Sequence, residues 1–197
     1  MIRLTQKIVL AVGLIAVVAC GGTKLSGTWQ DPDMAGVPFK KVIVLTLAKD
    51  KIMRRVAEDE FVNSLPKNTQ GVQSYNLIPD DELKDEAKVR ARLEKANFDG
   101  AAVLRLVGTD NQVTYNPGTI MYSFWGYYGY ASPFVYDTSY VTAEQVVRVE
   151  TAVYSMATEK LIWSGVSESM NPSSAKSVVD DVVRVVVTDL KRLGIVR

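Results

Sequence analysis

Continuous apolar runs and stripes at helical spacing organise this chain. Lys41-Val42-Ile43-Val44-Leu45-Thr46-Leu47 has the length and β-branching of a strand buried on both faces, as in a parallel sheet. Met53, Val56, Ala57, Phe61 and Leu65 then recur at helical spacing over about 50–65, and Pro66 ends that helix because it restricts its predecessor and cannot donate a backbone bond. Gly71 to Leu77 reads as a second strand, and Asp80 as the N-cap of a second helix with Leu83, Ala87 and Leu93 inward. Gly100 to Val107 is a third strand, again mostly apolar. Strand–helix–strand–helix–strand at this spacing predicts a parallel βαβαβ core.

Farther on the pattern changes. Val141 to Met156 and Lys160 to Ser169 read as a long antiparallel hairpin around Ala157-Thr158-Glu159. From Pro172 to Leu193, with Asn171 as the expected cap, Val179, Val182, Val183, Val186, Leu190 and Leu193 form one stripe. Charged residues between them favour a helix over a strand. The expected fold is therefore α/β: a mixed sheet with a parallel core extended by the hairpin, and a C-terminal helix.

Ahead of all this lies an uncharged run from Ile8 to Ala19, preceded by Arg3 and Lys7 and closed by Cys20, the one cysteine of the chain. Twelve residues at about 1.5 Å each reach only ~18 Å, short of the ~30 Å hydrocarbon core, so the run reads as a secretory signal and not as a spanning helix. Val17-Val18-Ala19-Cys20 resembles the lipobox of bacterial lipoproteins. That resemblance implies cleavage between Ala19 and Cys20 and acylation of Cys20, which then anchors the chain to a membrane. Gly21 lacks the Asp that retains such proteins at the inner membrane, so the resemblance favours the outer membrane, facing the periplasm. The expected organisation is a signal peptide over 1–19, a lipidated tether over 20–38 and one α/β domain over 39–197.

Charge and chemistry narrow the function classes. The chain has 23 basic and 22 acidic side chains; without Arg3 and Lys7 the balance is 21 to 22, a net charge of −1. No basic footprint for nucleic acid exists. There is no histidine, and with Cys20 acylated no thiol, so the commonest bases, nucleophiles and metal ligands are missing. No phosphate-binding loop or dinucleotide fingerprint occurs. Glu58-Asp59-Glu60, four residues after Arg54 and Arg55, reads as charge pairing on a solvated helix face. Asp80, Asp81, Glu82, Asp85 and Glu86 suit the positive end of the second helix. No catalytic residue, metal or cofactor is expected, and oligomeric state is left open.

One segment resists assignment. Residues 115–140 hold most of the tyrosines, interrupted by Gly and Pro. Their aromatics either pack over the domain's own sheet or form a contact patch of Tyr122, Phe124, Trp125, Tyr127, Tyr128 and Tyr130. The patch would dock on an envelope protein, on glycan or at the membrane interface.

Trp29-Gln30-Asp31-Pro32, Phe39-Lys40-Lys41-Val42-Ile43-Val44, Arg54-Arg55-Val56-Ala57-Glu58-Asp59-Glu60-Phe61 and Leu161-Ile162-Trp163-Ser164-Gly165 resemble a family of uncharacterised bacterial lipoproteins. Element order also resembles, more distantly, the small periplasmic α/β domains of the curli-secretion lipoprotein, of penicillin-binding-protein activator lipoproteins and of the Tol–Pal translocation protein. These resemblances imply a non-catalytic module that binds partners or assists assembly in the envelope. A binder of a small apolar or glycan ligand under the aromatic segment, and a carboxylate-based glycan-cleaving enzyme, are the alternatives.

Overall fold

The computed structural model describes residues 22–34, 38–109, 123–129 and 146–197. Six strands form one mixed sheet in the order β1-β6-β5-β4-β2-β3. Its parallel part is β2 (Lys41–Leu47), flanked by β3 (Gln70–Gln73) and β4 (Gly100–Thr109). Antiparallel strands β5 (Val146–Ser155) and β6 (Leu161–Met170) extend it, followed by the edge strand β1 (Lys24–Gln30). The α/β architecture with its parallel core, hairpin and C-terminal helix is therefore observed as expected.

Successive residues of the inner strands point to opposite faces, and helices cover both. One face carries Val42, Val44, Leu104, Val153 and Trp163 beneath α1 (Lys51–Ser64) and α4 (Ala175–Arg192). Six apolar residues of α4 are buried there, from Val178 to Leu190. Each is worth about 1.5–3 kcal/mol in area removed from water, which overrides the strand propensity of so many valines. The opposite face carries Ile43, Leu45, Val103, Ala152 and Tyr154 beneath α2 (Glu86–Glu94) and a short helix α3 at residues 124–129.

Helix ends follow local chemistry. Asp50 caps α1, its side chain accepting from the amides of Ile52 and Met53. At α4, Ser174 and Ser177 form a reciprocal capping box, so Ser174 and not Asn171 is the cap.

Three other expectations are corrected. The segment read as a tether over 20–38 contains β1, which pairs with β6 from Lys24↔Glu168 to Gln30↔Trp163. An edge strand needs no apolar run, and Lys-Leu-Ser-Gly-Thr-Trp-Gln shows none. The second strand stops at Gln73, where Ser74–Asn76 turn into a 3-10 helix. The second helix begins at Glu86, capped by Asp85 and not by Asp80, because Asp80 is engaged elsewhere.

Candidate functional site

The ends of the sheet differ. β2, β4 and β6 run in one direction, so their carboxyl ends share one rim with the beginnings of β5 and β1. Ala19 and Cys20 lie outside the described residues, as do Tyr122 and Tyr130. Thr23, however, is buried at this rim, its hydroxyl 2.6 Å from that of Ser169. It is the third residue after Cys20, so the link spans at most about 10 Å and not the reach of a long tether.

The opposite rim carries the aromatic segment. Ser123 bridges to Lys160, the Phe124 amide donates to the Glu159 carbonyl at 2.9 Å, and α3 follows. Phe124, Trp125, Tyr127 and Tyr128 are 1 %, 6 %, 4 % and 0 % exposed and belong to the core under α2. Phe124 meets Trp125 and Tyr154 edge-on, with centroids 4.8 and 5.5 Å apart. The Tyr128 hydroxyl donates to the Leu83 carbonyl, and the Arg90 guanidinium lies 3.9 Å above the Trp125 ring. These four side chains are therefore not a docking patch; they pack over the domain's own sheet. The glycines do not prevent this, because Gly126 and Gly129 fall on the outward side of the short helix. The signal present in the sequence was the i, i+1, i+3, i+4 spacing of the rings, the inward face of one helical turn.

Tyr127 leads from this core to a polar cluster. Its hydroxyl donates to Glu150 at 3.0 Å and accepts from Arg105 Nε at 3.3 Å, while the Arg105 guanidinium also pairs with Glu150. Burial, then Glu150, holds the Tyr127 phenol above its usual range. Burial opposes the charge on Arg105, but Tyr127 and Glu150 more than offset it and keep the guanidinium protonated. Beyond this cluster the sheet face opens. A groove of about 280 Å³ runs across β1, β6 and β5, lined by strand residues alone, among them Trp29, Arg148, Glu150, Ser164 and Glu168. Arg148 Nε pairs with Glu168 at 2.9 Å across its floor.

A second polar cluster lies between α1 and β3. Arg54 and Glu58 were expected on a solvated face; they are 1 % and 0 % exposed. Glu58 accepts from Arg54 Nε at 3.1 Å, the Thr46 amide at 3.0 Å, the Ser74 hydroxyl at 2.7 Å and the Tyr75 amide at 3.1 Å. Arg54 also reaches Asp80 and Ser74, both at 2.7 Å. Burial raises the Glu58 pKa against the pull of Arg54 and these donors. Of the acidic run at 80–86, only Asp85 and Glu86 stand at the α2 start; Glu82 pairs with Arg92 from the far end of that helix. The cluster fastens α1 to the 3-10 turn after β3 and presents no free nucleophile.

On the α1–α4 face, at the rim where β1 begins, a second groove of about 450 Å³ is lined mainly by apolar side chains, including Met53, Leu104, Leu106, Val147, Val149 and Val179. Thr46, also in its lining, leaves its buried hydroxyl without a hydrogen-bond partner. Among the described residues no His/Cys/Asp/Glu group could hold a metal ion, and no helix is long and apolar enough to cross a membrane.

No protein-family profile and no curated protein matches the chain. Among solved structures, a PelC dodecamer from Paraburkholderia phytofirmans is similar at 13 % identity and TM-score 0.47, over 89 % of this chain and 99 % of that one. A single-substitution variant of the same protein in another crystal form is similar at 13 % identity and TM-score 0.45, over 88 % and 97 %.

Proposed function

We propose that the chain is a lipoprotein of the bacterial cell envelope, acylated at Cys20 and carried on the periplasmic side of the outer membrane. There it acts as a non-catalytic module for partner binding or assembly. The observation that carries this reading is the shortness of the link between Cys20 and the sheet. Thr23 is already tied to Ser169, so acylation at Cys20 would hold the domain within about 10 Å of the bilayer surface. Two or more acyl chains would make that attachment stable.

With four of the aromatic rings in the core, the surface among the described residues that suits a protein partner is the strand-lined groove over β1, β6 and β5. It offers the features of a contact site: the half-buried indole of Trp29 beside fixed opposite charges on Arg148 and Glu168. The carboxylate-hydrolase reading draws no support from the described clusters. Glu58 is held by four donors, Glu150 by Arg105 and Tyr127, and Glu168 by Arg148, so none of these stands open as a general acid or base. A ligand reading moves from the aromatic segment to the apolar groove on the other face, whose lining favours a non-polar guest.

The test joins fractionation with crosslinking. Cys20→Ser is expected to move the protein from the membrane pellet to the soluble fraction of cells. A photocrosslinking amino acid at Ser164 is expected to capture one reproducible envelope protein, and Arg148→Glu to abolish that capture. A membrane-bound Cys20→Ser protein would sink the anchor, and absence of a charge-sensitive partner would sink the contact surface.

A further inference from the structure

Resting on the proposal that Cys20 is acylated, we propose that the apolar groove between α1 and α4 holds one acyl chain of a bilayer phospholipid. Its position comes first. Ala48 and Leu106 at the ends of β2 and β4, Val147 at the start of β5, and Pro172 before α4 all lie at the rim where β1 begins. Thr23 leaves the sheet at that same rim, three residues after Cys20. An anchor so short turns this rim, and no other, toward the membrane.

Chemistry comes second. The groove's volume of about 450 Å³ lies within the range of pockets that enclose small ligands, roughly 300–1,000 Å³. Its walls are mainly Val, Leu, Met and Ala side chains, with the hydroxyls of Thr46, Thr109 and Ser174 among them, and the guanidinium of the one charged lining residue, Arg105, is engaged by Glu150 and Tyr127. At the same rim, among charged neighbours such as Lys51, the large hydrophobic side chains Ile52, Leu106 and Met170 are 72 %, 53 % and 48 % exposed. Filling the groove with a hydrocarbon chain removes its walls from water, and lipid is the hydrocarbon source that the anchor brings within reach.

The experiment uses the full chain, purified from cells that process lipoproteins and reconstituted in vesicles of phosphatidylethanolamine and phosphatidylglycerol. A trace phospholipid carries a diazirine at the end of one acyl chain. Illumination is expected to label peptides containing Met53, Leu106 and Val179. That labelling is expected to be lost in Ala175→Trp, which narrows the groove from an exposed position on α4, while the variant's thermal unfolding stays unchanged. The intact mass of the Cys20 peptide reports acylation independently. Acylated Cys20 without groove labelling overturns the acyl-chain site and leaves the anchor standing. Unmodified Cys20 with groove labelling that Ala175→Trp abolishes overturns the anchor and supports the site. Labelling spread evenly over the surface, or groove peptides crosslinked to a second copy or to residues 110–145, overturns the site.

Discussion

Arg54 and Glu58 stand one turn apart on α1, joined through a 3.1 Å hydrogen bond, and both are shut inside the protein. A buried pair of this kind contributes little net stability, because desolvation consumes most of the attraction. Its removal by halves is another matter. Glu58→Ala would leave the guanidinium with Asp80 as its only acidic partner and the Thr46 and Tyr75 amides unpaired. We expect either single alanine variant to lose about 3–5 kcal/mol, and Arg54→Met with Glu58→Leu to recover most of it. Urea unfolding at fixed pH checks both; equal losses for the single and double variants would contradict the coupling.

The same carboxyl gives a pH signature with a defined sign. Burial raises the pKa of Glu58 in the folded state, against Arg54 and the donors around it. The folded state therefore binds the proton more tightly than the unfolded chain does. Its contribution to stability is fully present below the unfolded value of 4.5 and is lost as pH rises through the folded value. Asp80 acts oppositely: burial is outweighed by Lys51 and Arg54, its pKa is lowered, and its contribution falls away below the unfolded value of 3.8. Relative to Glu58→Gln, the native chain is expected to gain stability as pH falls from neutral toward 4.5. A difference that stays flat across this window in paired urea titrations would remove the assignment.

Aromatic residues that form a core and those that form a patch respond differently to truncation. Phe124 is 1 % exposed and meets three other rings. Phe124→Ala is expected to cost about 3–5 kcal/mol, the usual loss for a buried phenylalanine. A change within about 0.5 kcal/mol, typical of surface positions, would return these rings to the solvent side. Denaturant midpoints of the two proteins decide it.

These cases also mark what the residue pattern could and could not disclose. β2 and the first half of β4 were legible because burial on both faces demands unbroken apolar runs. β1 was not, since an edge strand with four exposed positions in seven can be built from Ser, Gly, Thr and Lys. Arg54 and Glu58 fall on the stripe of Ala57 and Phe61, at i, i+3, i+4 and i+7, so their burial was written in the spacing but hidden by their charge. α3 was masked by its glycines, although its rings sit at one-turn spacing. The grooves leave no local pattern at all, because each is assembled from strands and helices distant in the chain.

Packing around Trp163 gives a sharper test of the α4 face. The indole is fully buried and its N–H donates to Asp189 at 3.0 Å. A methyl group at Gly165 would stand 2.6 Å from the edge of that ring, closer than real atoms approach. The ring cannot withdraw without giving up Asp189. Gly165→Ala is therefore expected to cost about 1–3 kcal/mol, as overpacking does. Indole fluorescence that shifts together with stability would confirm that the ring is what moves.

The last prediction concerns Tyr127 and Tyr154, two of nine tyrosines. Burial raises both phenols, and Glu150 adds its negative charge to each; Tyr127 also acts on Tyr154. Their folded-state values thus lie above the ordinary value of 10, so the native state keeps these protons while the unfolded chain releases them. Each phenol's contribution is present below the unfolded value and is lost as pH rises through the folded one. Between about pH 10 and 12, phenolate absorbance of the folded protein should fall short of all the tyrosines, and the missing part should appear only with unfolding. Tyr127→Phe and Tyr154→Phe should leave the folded-state titration unchanged while each shrinks the step that accompanies unfolding. A folded protein that releases every phenol along one ordinary curve would place these side chains in water and undo the core described here.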